Sequence, residues 1–196
     1  VYSLNACYQI PREEKDPLTI PARGKPSGRT AMVPGFMAGV QAAHDRFGKL
    51  SRQQVFAPAV TMARDGVPVT PMLARFIKSR ATVLNRLPNT AKIFKKPDGT
   101  AYVEGDTLRQ TEMAHTLEQV SKQGAKYMYE GDWAQELVAA VQQEGGKLAL
   151  EDLKSYRPIW EEPLQTRYRD HDVYLPGFTS IGGVNMVEAL HLLRAI

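Results

Sequence analysis

Apolar residues recur at three- and four-residue intervals along most of the chain and switch to alternation near its end. Phe36, Val40, Ala43 and Phe47 share one helix face that Gly48 closes, and this face is expected to be core. Ser51 with Gln54 reads as a capping box opening a second helix. Val55, Ala59 and Met62 form its apolar face, Pro58 is expected to kink or shorten it, and Gly66 ends it. Thr70-Pro71 starts a third helix carrying Met72, Phe76 and Val83, which stops ahead of Pro88.

From Asn89 to Gln110 the chain is polar and turn-rich, with a bend at Pro97-Asp98-Gly99 and a short strand pair at best. Thr111 to Gln123 reads as a helix with Met113, Leu117 and Val120 on one side. Asp132 is expected to cap another, with Gln135 at the third position, Leu137, Val138 and Val141 inside, and Gly145-Gly146 as the stop. The period then changes. Leu164, Thr166 and Tyr168 alternate with Gln165 and Arg167, and Val173-Tyr174-Leu175 follows Asp170-His171, which together predict a β-hairpin. A glycine-rich bend, 177–183, leads into a last helix with Met186, Ala189, Leu190 and Leu193. The first 30 residues hold Pro11, Pro17, Pro21 and Pro26 and show no period. The organisation read from this is an irregular N-terminal segment over 1–32, a helical part over 33–160, and a hairpin, bend and helix start over 161–196.

Composition narrows the class without changing that reading. A chain of 196 residues, 43% hydrophobic, can bury one sizeable core. The net charge of +4 mixes 25 basic with 21 acidic side chains, a balance that reads as solubility rather than nucleic-acid binding. Lys92, Lys95 and Lys96 beside the Pro97-Asp98-Gly99 turn read as a solvated face. A single Cys7 and four scattered histidines support neither an intramolecular disulfide nor a zinc site, and no cofactor is expected. An apolar run of about 18 residues, as a membrane span needs, is absent. The chain opens on Val1 rather than Met, from which a cut N-terminus is expected.

No nucleophile elbow, phosphate loop, dinucleotide fingerprint or zinc-protease motif occurs. His44, His115, His171 and His191 lie without a nucleophile or metal partner at useful spacing and receive no role. The best local candidate is the bend with Thr179, Ser180, Gly182 and Gly183. A strand entering a glycine-rich turn and then a helix presents unpaired N–H groups and small hydroxyls to an anion. On spacing alone the same residues read better as a tight turn capped by Thr179.

The ordered series Val33-Pro34-Gly35, Gly48-Lys49-Leu50, 105–110 (Gly-Asp-Thr-Leu-Arg-Gln), Tyr129-Glu130-Gly131, Gly145-Gly146-Lys147-Leu148 and Tyr168 through Gly183 resembles the large subunit of the γ-glutamyltransferases. At the bend this chain has Gly177-Phe178-Thr179-Ser180-Ile181 where the family has a Pro-Pro-Pro-Ser-Ser run. The resemblance implies a mostly α-helical large-subunit fragment with a few β-strands, from an αββα sandwich of the N-terminal nucleophile hydrolases.

It further implies cleavage of γ-glutamyl amides of the glutathione type, the acyl group passing to water or an amine. The nucleophile is a threonine freed at the start of a small subunit cut from the same precursor, so no catalytic residue is expected in this chain and the chain alone is expected to be inactive. The family holds the substrate carboxylate with an arginine in an Arg-Glu-x-Ala-Pro segment. Arg12, in Arg12-Glu13-Glu14-Lys15-Asp16-Pro17, is the candidate here, with one residue more before the proline. By the same resemblance a periplasmic or secreted location is expected. The unpaired hairpin edges predict that the isolated chain is marginally stable or associates with itself. The competing readings are a helical binding or scaffold module without catalysis and a related acylase with another acyl substrate.

Overall fold

The structure, a computed structural model, describes residues 1–21, 25–177 and 180–194. In chain order its elements are β1 (Ser3–Asn5), α1 (Phe36–Phe47), α2 (Arg52–Asp65), β2 (Val67–Pro68), α3 (Pro71–Ser79), α4 (Ala81–Leu84), α5 (Pro88–Phe94) and β3 (Thr107–Leu108). These are followed by α6 (Thr111–Gln123), α7 (Lys126–Glu130), α8 (Asp132–Gln143), α9 (Leu150–Ser155), β4 (Ile159–Glu161), β5 (Leu164–Tyr168), β6 (His171–Leu175) and α10 (Ile181–Arg194). The strands form antiparallel pairs, β1 with β4, β2 with β3 and β5 with β6. The chain is thus mostly helical with short strands.

Local chemistry accounts for the clearest boundaries. Ser51 Oγ accepts from Gln54 N at 3.2 Å while Gln54 Oε1 accepts from Ser51 N at 2.9 Å, satisfying two first-turn donors of α2 reciprocally. Thr70 Oγ1 accepts from Leu73 N at 3.2 Å ahead of Pro71, the first residue of α3. Gly66, with φ of 93°, ends α2 in a backbone conformation that other residues adopt only under strain.

The main core lies around α7, α8 and α9. Leu148 and Leu153 are fully buried there with Ala134, Val138, Val141 and Val33. Tyr129 and Tyr156 stack with ring centroids 5.9 Å apart. Burial raises both phenols above the usual tyrosine range, so they stay protonated donors. Tyr129 donates to Pro34 O at 2.6 Å and Tyr156 to Cys7 O at 2.6 Å, which ties the N-terminal segment to the helices.

Several expectations are corrected. Phe36 and Phe47 are exposed, so the stripe read as the core face of α1 is not one; Met37 and Ala38 pack on the core instead, and Gly39 is buried. On α2 Val60 is buried while Val55 and Met62 face solvent, and on α3 Ile77 is buried while Met72 and Phe76 are exposed. Each helix carries apolar residues on more than one face, and its neighbour selects which is covered; for α2 that neighbour is α6. The helix also continues through Pro58 to Asp65 and is not shortened.

The stretch read as turns after Asn89 contains most of α5, which Pro88 opens at its first position. Its β3 pairs outside the stretch, Val67 with Leu108 and Pro68 with Thr107. Asp132 does not cap α8. It is the first helical residue, with Gly131 at the cap, and its carboxylate lies in the first turn, where the helix dipole favours negative charge. The segment read as irregular supplies β1, with Ser3 opposite Glu161 and Asn5 opposite Ile159. The hairpin forms, from Leu164 opposite Leu175 to Tyr168 opposite His171, with its turn at Arg169-Asp170 and His171 in the strand rather than in the turn.

Candidate functional site

The bend between β6 and α10 is built by close backbone contact. A side-chain carbon at Gly183 would lie 2.0 Å from the Pro176 carbonyl oxygen, so only glycine lets the helix start so near the strand's end. Ser180 N donates to Gly177 O at 3.1 Å, and Ser180 O accepts from Gly183 N at 3.0 Å. The space beside Gly182 is open to 4 Å. The Ser180 hydroxyl, half-buried, has no hydrogen-bond partner among the described residues. Thr179, the remaining residue singled out in the bend, lies outside the described residues.

Side chains fix the helix that carries this bend. Thr166 Oγ1 on β5 lies 2.8 Å from His191 Nε2, and Arg194 Nη1 donates to Arg167 O at 3.1 Å. These two hydrogen bonds set α10 against the hairpin, with an open apolar groove of about 500 Å³ between Leu164, Val184, Val187 and Leu192. Sequence reasoning left His191 without a role. Its partner is 25 residues away, at a spacing that no motif marks.

Arg12 lies elsewhere. Its backbone N donates to Asp152 Oδ1 at 3.2 Å, and its Nε stands 3.9 Å from the same oxygen. The side chain is 61% exposed while that of Asp152 is 3% exposed. Asp152 Oδ2 also accepts from Ala149 N at 2.9 Å, so this carboxylate fastens the N-terminal segment to the start of α9. Among the described residues no hydrogen bond or ion pair joins Arg12 to Ser180, Gly182 or Gly183.

Another arginine of that segment, Arg29, is bound more tightly. Arg29 Nε and Nη2 donate to the two oxygens of Glu14 at 2.8 and 2.7 Å, and Nη2 also reaches Asp16 O and Thr19 Oγ1. The paired guanidinium holds the Glu14 carboxyl below the usual glutamate range. Beside this segment Ala6, Cys7, Tyr8, Met32 and Phe36 line an open, mainly apolar groove of about 540 Å³. Sequence reading missed it, because its walls come from two stretches more than twenty residues apart.

The motifs that carried the family resemblance are mostly packing devices. A side-chain carbon at Gly35 would meet the Tyr156 hydroxyl at 2.1 Å and Ala6 O at 2.3 Å. Tyr129 and Leu148 are core. Asp106 accepts from Val103 N at 2.9 Å and pairs with Lys96 at 3.1 Å, which closes the turn before β3.

A family model described as gamma-glutamyltranspeptidase matches residues 4–196, and the chain belongs to that family. It is 34% identical over 163 residues to the glutathione hydrolase proenzyme of Escherichia coli, an alignment covering 83% of this chain and 28% of the relative. It is also 34% identical over 174 residues to the glutathione hydrolase-like YwrD proenzyme of Bacillus subtilis, covering 86% of this chain and 33% of that one. The chain therefore spans about a third or less of these curated relatives. Among solved structures, the γ-glutamyltranspeptidase of Helicobacter pylori superposes with a TM-score of 0.93 at 25% identity, over 100% of this chain and 58% of that chain. The Bacillus anthracis transpeptidase enzyme CapD superposes with a TM-score of 0.76 at 27% identity, over 99% of this chain and 61% of that one.

Proposed function

We propose that the chain is part of a γ-glutamyl transferase or hydrolase that cleaves γ-glutamyl amides of the glutathione type and passes the acyl group to water or an amine. The observation that carries this reading is the family match over residues 4–196, together with relatives named glutathione hydrolase proenzymes. The parent fold in this proposal is the αββα sandwich, and the exposed edges of β5 and β6 pair with strands of a small subunit cut from the same precursor. That subunit's N-terminal threonine hydroxyl attacks the amide carbonyl, its α-amino group takes the proton and passes it to the amine that leaves as the C–N bond breaks, and water or an acceptor amine then attacks the resulting ester and restores the threonine hydroxyl. The bend at Thr179, Ser180, Gly182 and Gly183 faces the substrate in this reading, and backbone N–H groups stabilise the oxyanion. Arg12 is the candidate for the substrate carboxylate, and a periplasmic or secreted location is part of the same proposal.

Release of p-nitroaniline from γ-glutamyl-p-nitroanilide tests it, with this chain alone and the full-length gene product side by side. Activity is expected only in the longer protein. Self-cleavage without activity points instead to a related acylase with another acyl substrate. Absence of both cleavage and activity overturns the enzyme reading in favour of a scaffold.

A further inference from the structure

The helical part holds a cleft that the proposed reaction does not use. It has a volume of about 420 Å³ and lies among α5, the start of α6 and α8. That volume falls in the ~300–1,000 Å³ range of small-molecule sites. Lys92, Arg109 and Glu112 line it together with Ile93, Met128 and Trp133. The three apolar residues are half-buried, so the wall they form is fixed by packing yet open to the cleft.

The charged groups near this cleft are of two kinds, paired and unpaired, and the three that line it are exposed. Lys96 pairs with Asp106, Arg64 with Glu118 and Arg86 with Glu144. Lys92, Arg109 and Glu112, in contrast, make no ion pair or side-chain hydrogen bond among the described residues. Two cations and one carboxylate thus border one concave space, with an aromatic and two aliphatic side chains beside them.

We propose that this cleft binds a free α-amino acid with an apolar side chain. The Arg109 guanidinium, planar and able to give two parallel N–H bonds, takes the carboxylate with Lys92 as a second positive charge. Glu112 accepts from the ammonium. The ligand's side chain lies against Trp133, Met128 and Ile93, where an aromatic ring and a polarizable thioether favour an aliphatic or aromatic body. A plain inorganic anion leaves both Glu112 and the apolar wall unused, and a neutral apolar ligand leaves all three charges unused. The zwitterion with an apolar side chain uses the three charged groups and the apolar wall together.

Equilibrium dialysis of labelled L-phenylalanine against the full-length gene product tests this. Saturable binding is expected to weaken at least ~10-fold in Lys92→Met/Arg109→Met and in Glu112→Gln, while Arg64→Met, at a paired surface position, leaves it unchanged. With the unaltered protein, hydrocinnamate (no ammonium), phenethylamine (no carboxylate) and glycine (no side chain) are each expected to compete at least ~10-fold less well than L-leucine. No binding, binding that survives both cleft variants with normal melting curves, or competition by L-glutamate equal to that by L-leucine overturns the proposal. The assay reads binding and not turnover, so its outcome is separate from that of the anilide assay.

Discussion

The helices α7 to α9 and the unit formed by β5, β6 and α10 are held by different forces. The first surrounds Leu148 and Leu153, both 0% exposed, and stacks Tyr129 on Tyr156. In the second, over residues 161–177 and 180–194, the buried residues are Thr166, Gly177 and Gly183, with no apolar side chain among them. Its order comes from the hairpin ladder, the Thr166–His191 and Arg194–Arg167 hydrogen bonds, and the close approach at Gly183. A part stabilised by apolar burial resists small perturbation cooperatively. A part held by hydrogen bonds around an open groove opens locally at lower cost.

The largest expected effect breaks the first region. Leu153→Ala removes a fully buried side chain from a closed core and is expected to cost about 2–5 kcal/mol, read as a fall in the urea midpoint. A loss well under ~1 kcal/mol removes the contrast between the two regions.

Gly183→Val tests the second region. Its side chain clashes with the Pro176 carbonyl oxygen and is expected to cost about 1–3 kcal/mol, confined to this unit. Amide hydrogen exchange is expected to accelerate over 164–194 and to stay unchanged over 126–156. Acceleration in both regions together makes the protein one cooperative unit and defeats the comparison.

The smallest effect sharpens the comparison by charge. Glu14 is titrated below its ordinary value by Arg29, so its contribution is fully present above the unfolded glutamate pKa (~4.3) and is lost as pH falls through the lower folded value. Glu14→Gln should therefore lower the urea midpoint by a constant amount from neutral pH to about pH 5, with the gap closing below about pH 4. A gap that persists at pH 3 shows that the ion pair is not its source.

Features written in neighbouring residues were legible in the sequence. The Ser51–Gln54 capping box, the stops at Gly48 and Gly66, the bounds of α6 and the presence of the hairpin all follow from groups within a few positions of each other. The helix faces were not. Phe36, Met62, Met72 and Phe76 have the spacing of a core stripe, but among the described residues they are exposed. Of the bend, the small residues could be singled out, but the contact that requires glycine at 183 could not. For Arg12 the neighbouring residues suggested a substrate ligand, and the fold places Asp152, 140 positions away, beside it.

The sequence by itself determined where α2, α3 and α6 begin, that a hairpin follows the helical part, and which family the ordered motifs resemble. Those features depend on backbone donors, φ preferences and local spacing. Only the tertiary structure decided which apolar face is inside, that Asp152 and Glu14 fasten the N-terminal segment, and that Lys92, Arg109, Glu112 and Trp133 border one cleft. The physical reason is that burial and charge pairing depend on what lies opposite in space, and a residue's neighbours in the chain do not specify its partner across it.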